Sequence, residues 1–166
     1  MWGQPPSAVR SGEAQRLLEA KEMHLTDRES ESRAPRPKHQ LKFRQLPGFY
    51  TIIRLAPGAT IPNWVTKGDF TSITRTVDEL SVVCSMENLP AGLASQPRWT
   101  CLKLEGPFAF SQTGILLSFI EPLSYRNVPI FAISTYDTDY VLVQEQHSRS
   151  AFDALIATGH EFIGER

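Results

Sequence analysis

The chain has 166 residues, 17 lysines and arginines against 18 aspartates and glutamates, and a formal net charge of -1. That length makes one ordinary domain or two very small ones. The balanced charge excludes the basic excess of a phosphate-binding nucleic-acid protein, no stretch nears the ~20 apolar residues of a membrane-spanning helix, and two cysteines cannot build a disulfide scaffold or a cysteine-only metal site. The expectation is a soluble, cytoplasmic protein with no cofactor, no metal, and neither nucleic acid nor membrane as partner.

Composition changes near residue 40. Residues 1–40 carry seven basic and six acidic side chains, four prolines, and neither Phe nor Tyr. So little apolar surface cannot offset an ordering entropy of about 1–2 kcal/mol per residue, so the segment reads as a disordered leader. Its one helical stretch, residues 14–23 (AQRLLEAKEM), is too short to persist alone. No continuous apolar run opens the chain, which argues against a secretory signal, and its acidic residues argue against a mitochondrial transit peptide. A docking peptide is the other reading.

Residues 49–55 (FYTIIRL) are rich in β-branched and aromatic side chains and read as a strand between Pro47-Gly48 and Pro57-Gly58. Residues 61–65 suit a single helical turn. Residues 70–76 and 80–85 form a hairpin turning at Asp78 and Glu79. Residues 88–97, with two prolines and a glycine, read as a linker.

A second unit opens with a strand at 99–105, broken at Gly106-Pro107. Apolar positions 115, 116, 119, 120 and 123 repeat at helical spacing and predict a helix over 115–124, kinked or ended early by Pro122. Residues 128–134 read as an apolar strand covered on both faces. A turn follows at 136–139 (YDTD), then a returning strand at 140–144. A helix over 148–157 is predicted with Ser148 as its N-cap and Phe152, Leu155 and Ile156 on its buried face. Thr158-Gly159 stops it, and 160–163 reads as a last short strand.

The second unit is therefore β-α-β-β-α-β, the ferredoxin-like split, and the first a shorter relative with little helix of its own. The fold class is α+β: tandem ferredoxin-like units, antiparallel sheets, helices on one face. Helix-poor units of this size cannot cover both faces of a sheet alone, so the two sheets should join edge to edge or share one helical layer. The expected organisation is a leader at 1–40, an N-terminal unit at 41–90 and a C-terminal unit at 98–164.

No catalytic constellation emerges. His24, His39, His147 and His160 lie apart in sequence from Cys84 and Cys101, each of which sits inside an apolar strand and reads as a small buried hydrophobe. No HExxH, Walker A, GxSxG or CxxC is present. Asp137 and Asp139 suit paired carboxylates, a cation site, or turn residues capping their own backbone. More informative is the loop that delivers Ser111, Gln112, Thr113 and Gly114 to a helix start. Free backbone N–H groups and the positive end of the helix dipole converge there, and Gly114 permits close approach of a ligand. A helix start with no ligand is the plainer alternative.

Residues 99–108 (WTCLKLEGPF), 113–116 (TGIL) and 130–143 (IFAISTYDTDYVLV) resemble the ACT domain of small two-unit proteins, the subtype found in Castor-type arginine sensors and similar to the regulatory ACT domains of aspartate kinases. Residues 46–48 (LPG) and 70–84 resemble the divergent N-terminal unit that accompanies it, so that the resemblance spans about residues 45–163. It implies a non-enzymatic regulatory protein that binds an amino acid between two ACT units. Carried onto this chain, the ligand loop is Phe110, Ser111, Gln112, Thr113, Gly114 and Ile115. The end of the second strand supplies Ser134, Thr135, Tyr136, Asp137 and Asp139, with Asp139 first and Asp137 second as partner for a cationic group. Ser72, Ile73 and Thr74 would form the opposing wall. The competing expectation is a ligand-free interaction or dimerisation module that uses open sheet edges to bind a second copy or a protein partner.

Overall fold

The computed structural model describes residues 39–164; the expected leader, with its helical stretch at 14–23, falls outside them apart from His39 and Gln40. Along the described residues the order is β1 (Lys42–Gln45), β2 (Tyr50–Leu55), β3 (Ser72–Arg75), β4 (Leu80–Ser85), β5 (Trp99–Leu104), α1 (Ile115–Tyr125), β6 (Ile130–Ser134), β7 (Asp139–Gln144), α2 (Ser148–Ala157) and β8 (Glu161–Phe162). The class is α+β with a mostly antiparallel sheet, as expected, and both α-helices belong to the second half.

β5 is the central strand. β7 runs antiparallel along one edge, with Cys101 opposite Leu142, and β6 lies outside β7. On the other edge β1 pairs antiparallel, with Phe43 opposite Leu104, and β8 adds to β1 in parallel. A strand the sequence reading passed over thus stands between the first and last strands of the ferredoxin-like unit. Beyond Pro47-Gly48 the chain meets β5 at Tyr50 opposite Trp99, then leaves with β2 to pair with β4, which carries β3. The two halves share one eight-stranded sheet.

Period-two alternation assigns the faces. Leu102, Leu104, Val141 and Val143 point to the helices and form a core with Phe43, Ile115, Phe119, Leu123 and Leu155. Phe43 is its centre: fully buried, with the rings of Phe119, Phe152 and Phe162 at 5.3, 5.6 and 5.5 Å. Cys101 and Leu142 point the other way, into a second core with Tyr50, Phe70 and Val83. The β2–β4 hairpin region therefore covers the sheet face that lacks helices. Its own outer face, with Ile53, Leu80 and Val82, is closed by Val65 and by the half-buried Trp64, Leu89 and Leu93.

Pro122 does not end its helix early; α1 runs on to Tyr125. Proline has no N–H to give the carbonyl four residues back, which is that of Ser118. His160, 4 % exposed, supplies the missing donor: its Nε2 lies 3.1 Å from the Ser118 oxygen. The other ring nitrogen, Nδ1, accepts from the Leu41 N–H at 3.1 Å, which fixes the tautomer with the proton on Nε2.

Other local expectations are corrected. β6 is an outermost strand with Ala132 and Ser134 exposed, so its apolar run is not covered on both faces. The strand expected at 70–76 contracts to Ser72–Arg75 because Phe70 turns inward and stacks on Tyr140 at 4.3 Å. Ser148 is the first residue of α2 rather than its cap, and its hydroxyl shares a 2.7 Å hydrogen bond with Thr100. Of the face expected for α2, Leu155 is buried and Phe152 packs half-buried against the core, while Ile156 is 38 % exposed; Ala151 and Ala154 complete the buried side. Cys84 and Cys101 are buried free thiols, pushed up to about 11 and about 12 by desolvation. Protonated thiols of that kind are poor nucleophiles.

Candidate functional site

The β6–β7 turn is anchored from below. Thr138 is buried, and its Oγ1 donates to the Leu104 carbonyl at the end of β5 at 2.7 Å. The Thr138 carbonyl accepts from both the N–H and the hydroxyl of Thr135, at 2.9 and 2.7 Å. The loop after β5 attaches to the same turn, since the Phe108 N–H donates to the Asp137 carbonyl at 2.9 Å. Gly106 makes that approach feasible: a Cβ there would lie 2.5 Å from the Asp137 oxygen. Further along, Gln112 folds the loop on itself, with its side chain accepting from the Ala109 N–H and its own N–H donating to the Ala109 carbonyl, both at 2.9 Å.

Gly114 then starts α1 at φ +81°, and no side chain caps the helix. The first-turn amides keep their donors and the positive end of the dipole. Between this helix start and the turn lies a pocket of about 330 Å³. Phe110, Gln112, Gly114 and Ile115 line it from the loop side, and Ser134, Thr135, Tyr136, Asp137 and Asp139 from the hairpin. These residues were all expected at the site. Phe108, Ala109, Leu116, Leu117 and Thr138 also line it, beyond the residues the sequence points to. Their signal is positional: each lies within two positions of a residue expected at the site.

Five expected residues stand outside this pocket. Ser111 and Thr113 belong to the loop but not to the lining; the Thr113 carbonyl instead lies 3.0 Å from His39 Nε2. Ser72 and Thr74 line a separate groove of about 220 Å³, facing Phe131, Ala132, Ile133 and Ser134 of β6. Ser134 lines both cavities, and Ile73, at the exposed edge of β3, lines neither.

The pocket is acidic. Asp137 and Asp139 are its two charged lining residues, and no Lys, Arg or His is among them. Asp139 is half-buried and its Oδ1 accepts from the Ser134 hydroxyl. Phe110 and Tyr136 stand at the mouth, 78 % and 79 % exposed, edge to face at 5.1 Å. Among the described residues no group of three or more His, Cys, Asp or Glu could hold a metal ion, and no helix is long and apolar enough to cross a membrane.

The sequence profile of the ACT domain matches residues 94–157, and that of an N-terminal domain matches residues 48–92. The chain belongs to the ACT-domain family. This ACT-domain protein is similar to the crystal structure of protein Atu0741 from Agobacterium tumefaciens, at 42 % identity and a TM-score of 0.70, over 77 % of this chain and 96 % of that one. Protein VC0802 from Vibrio cholerae shares the fold, with a TM-score of 0.58 at 20 % identity over 74 % of this chain and 88 % of that one. Among curated proteins it is 32 % identical over 91 residues to the human protein CASTOR3P, across 47 % of this chain and 56 % of that protein. It thus spans little more than half the length of that relative.

Proposed function

We propose that this ACT-domain protein is a non-catalytic regulatory module that senses an amino acid in the pocket between the start of α1 and the β6–β7 turn. The observation that carries the reading is the pairing of an uncapped helix start with half-buried Asp139 across one 330 Å³ cavity. A zwitterion needs donors for its carboxylate and an acceptor for its ammonium. The first-turn amides of α1 supply the donors, and Asp139, with Asp137 beside it, supplies the acceptor. Phe110 and Tyr136 offer apolar surface at the mouth. Two charge-assisted contacts in a small pocket suit micromolar to millimolar affinity, on the order of -4 to -8 kcal/mol. Kinship with ACT domains favours regulation over catalysis.

Thermal-shift measurements against the twenty amino acids test this. A ligand at ~100 times its dissociation constant should add ~2.7 kcal/mol of stability, and Asp139→Ala should abolish the gain. Silence toward all twenty at millimolar concentration sinks the proposal. A second reading is a ligand-free dimerisation or docking module. It is favoured by the outer edge of β6, unpaired among the described residues, and by the exposed Phe110–Tyr136 pair nearby. That reading requires a concentration-dependent complex indifferent to Asp139→Ala.

A further inference from the structure

A second, larger pocket of about 1140 Å³ shares no residue with the amino-acid site. It opens where β1 and β2 part company at Leu46 and Pro47. Tyr50, the first residue of β2, lines it while being only 3 % exposed, and its hydroxyl has no hydrogen-bond partner among the described residues. Desolvation, its largest perturbation, pushes this phenol up to about 12, so it stays a proton donor at every physiological pH. Its hydroxyl is thus a donor that a guest carrying an acceptor atom can engage.

Lys103 is the second uncommitted group. It projects from β5, half-buried, with its Nζ 6.0 Å from the centre of the Tyr140 ring. No carboxylate among the described residues pairs with it. Arg44, its register neighbour on β1, is already engaged by Glu105 at 2.7 Å. Between these groups the rings of Phe70 and Tyr140 stack at 4.3 Å, and Phe70 meets Tyr50 edge-on at 5.7 Å, so that three aromatic rings bound one side of the pocket. Asp69, Arg149 and Asp153 line the same pocket but are exposed, where screening weakens their influence. The half-buried lysine therefore decides the sign of charge the pocket prefers.

We infer that this pocket binds a small aromatic carboxylate, with Lys103 as counter-charge, Tyr50 donating a hydrogen bond and the Phe70–Tyr140 stack receiving the ring. Ring on ring adds attraction beyond burial of area, and charge-assisted hydrogen bonds outweigh neutral ones.

The full-length chain is titrated calorimetrically with 2-naphthoate, and with the neutral isostere 2-naphthamide. The acid binds saturably below millimolar concentration, roughly tenfold or more tighter than the amide, the margin one charge-assisted hydrogen bond supplies. Lys103→Met erases that margin, while Asp139→Ala leaves naphthoate binding unchanged, which separates this site from the amino-acid pocket. Tyr50→Phe weakens naphthoate several-fold yet leaves the urea midpoint of the free chain equal or higher, because the hydroxyl it removes was unpaired. Equal affinity for acid and amide, no saturable binding at about 10 mM, or unaltered selectivity in Lys103→Met overturns the inference. So does a lower urea midpoint for Tyr50→Phe, which would reveal an internal partner. So too does a dimer in sedimentation that Lys103→Met or Tyr140→Ala dissociates, since a second copy would then fill the pocket.

Discussion

His160 holds two backbone groups at once, and only a neutral imidazole can do so. Its Nδ1 accepts from Leu41, and its Nε2 donates to the Ser118 carbonyl that Pro122 deprives of a helical donor. Removing the ring takes both hydrogen bonds away. His160→Ala should cost about 2–4 kcal/mol, and adding Pro122→Ala should recover part of it, because residue 122 then regains an N–H for Ser118. A double-mutant cycle in urea measures that coupling. The same geometry gives a pH dependence. Desolvation holds His160 below its ordinary value, so the unfolded chain takes up a proton before the folded one. The stabilisation is complete above about pH 6.5 and is lost progressively as the pH falls below it. The urea midpoint should therefore drop between about pH 7.5 and 5.5, and drop less in His160→Ala. Gly106 acts through backbone alone. A methyl group there meets the Asp137 carbonyl at 2.5 Å, so Gly106→Ala should cost about 1–3 kcal/mol and weaken any amino-acid response by moving the loop off the turn.

β1 shows how an element of four residues can matter more than its length suggests. It bridges β5 and β8 and carries Phe43 into the middle of the larger core. Phe43→Ala should cost about 3–5 kcal/mol, measurable as a lower urea midpoint. The alternation that marks β1 is present in the chain, with Leu41 and Phe43 apolar, Lys42 and Arg44 charged. Two apolar residues are too few to announce a strand, and its partners come from about 60 and about 120 residues away. The effect of Pro122 has the same origin: the local rule is sound, but the compensating donor lies 42 positions beyond Ser118, whose carbonyl it serves. α1, α2, β5 and β7 were legible because their patterns are long and self-contained. The loop and the β6–β7 turn of the candidate site were legible too, each as one contiguous segment. Ser72 and Thr74 line a separate groove, since how β3 sits against β6 depends on the sheet as a whole.

At the scale of the molecule, a single sheet is folded so that both faces of its central strands are buried, by α1 and α2 on one side and by the β2–β4 hairpin region on the other. The helix shortage in the first half anticipated this sharing of cover; the fold-back itself was not readable, because it rests on Phe70, Tyr50 and Val83 meeting Cys101 and Leu142 across the chain. The two pockets lie in different parts of this construction, and their linings have no residue in common.

The position of β1 also bears on how the ferredoxin-like half can be cut out. A fragment starting at Trp99 would retain β5 and β8 but lose the strand that joins them, leaving Leu104 and Phe162 without Phe43. Such a fragment is a receptor for donor-strand complementation: a synthetic peptide covering residues 39–46, supplied in trans, should restore its cooperative melting.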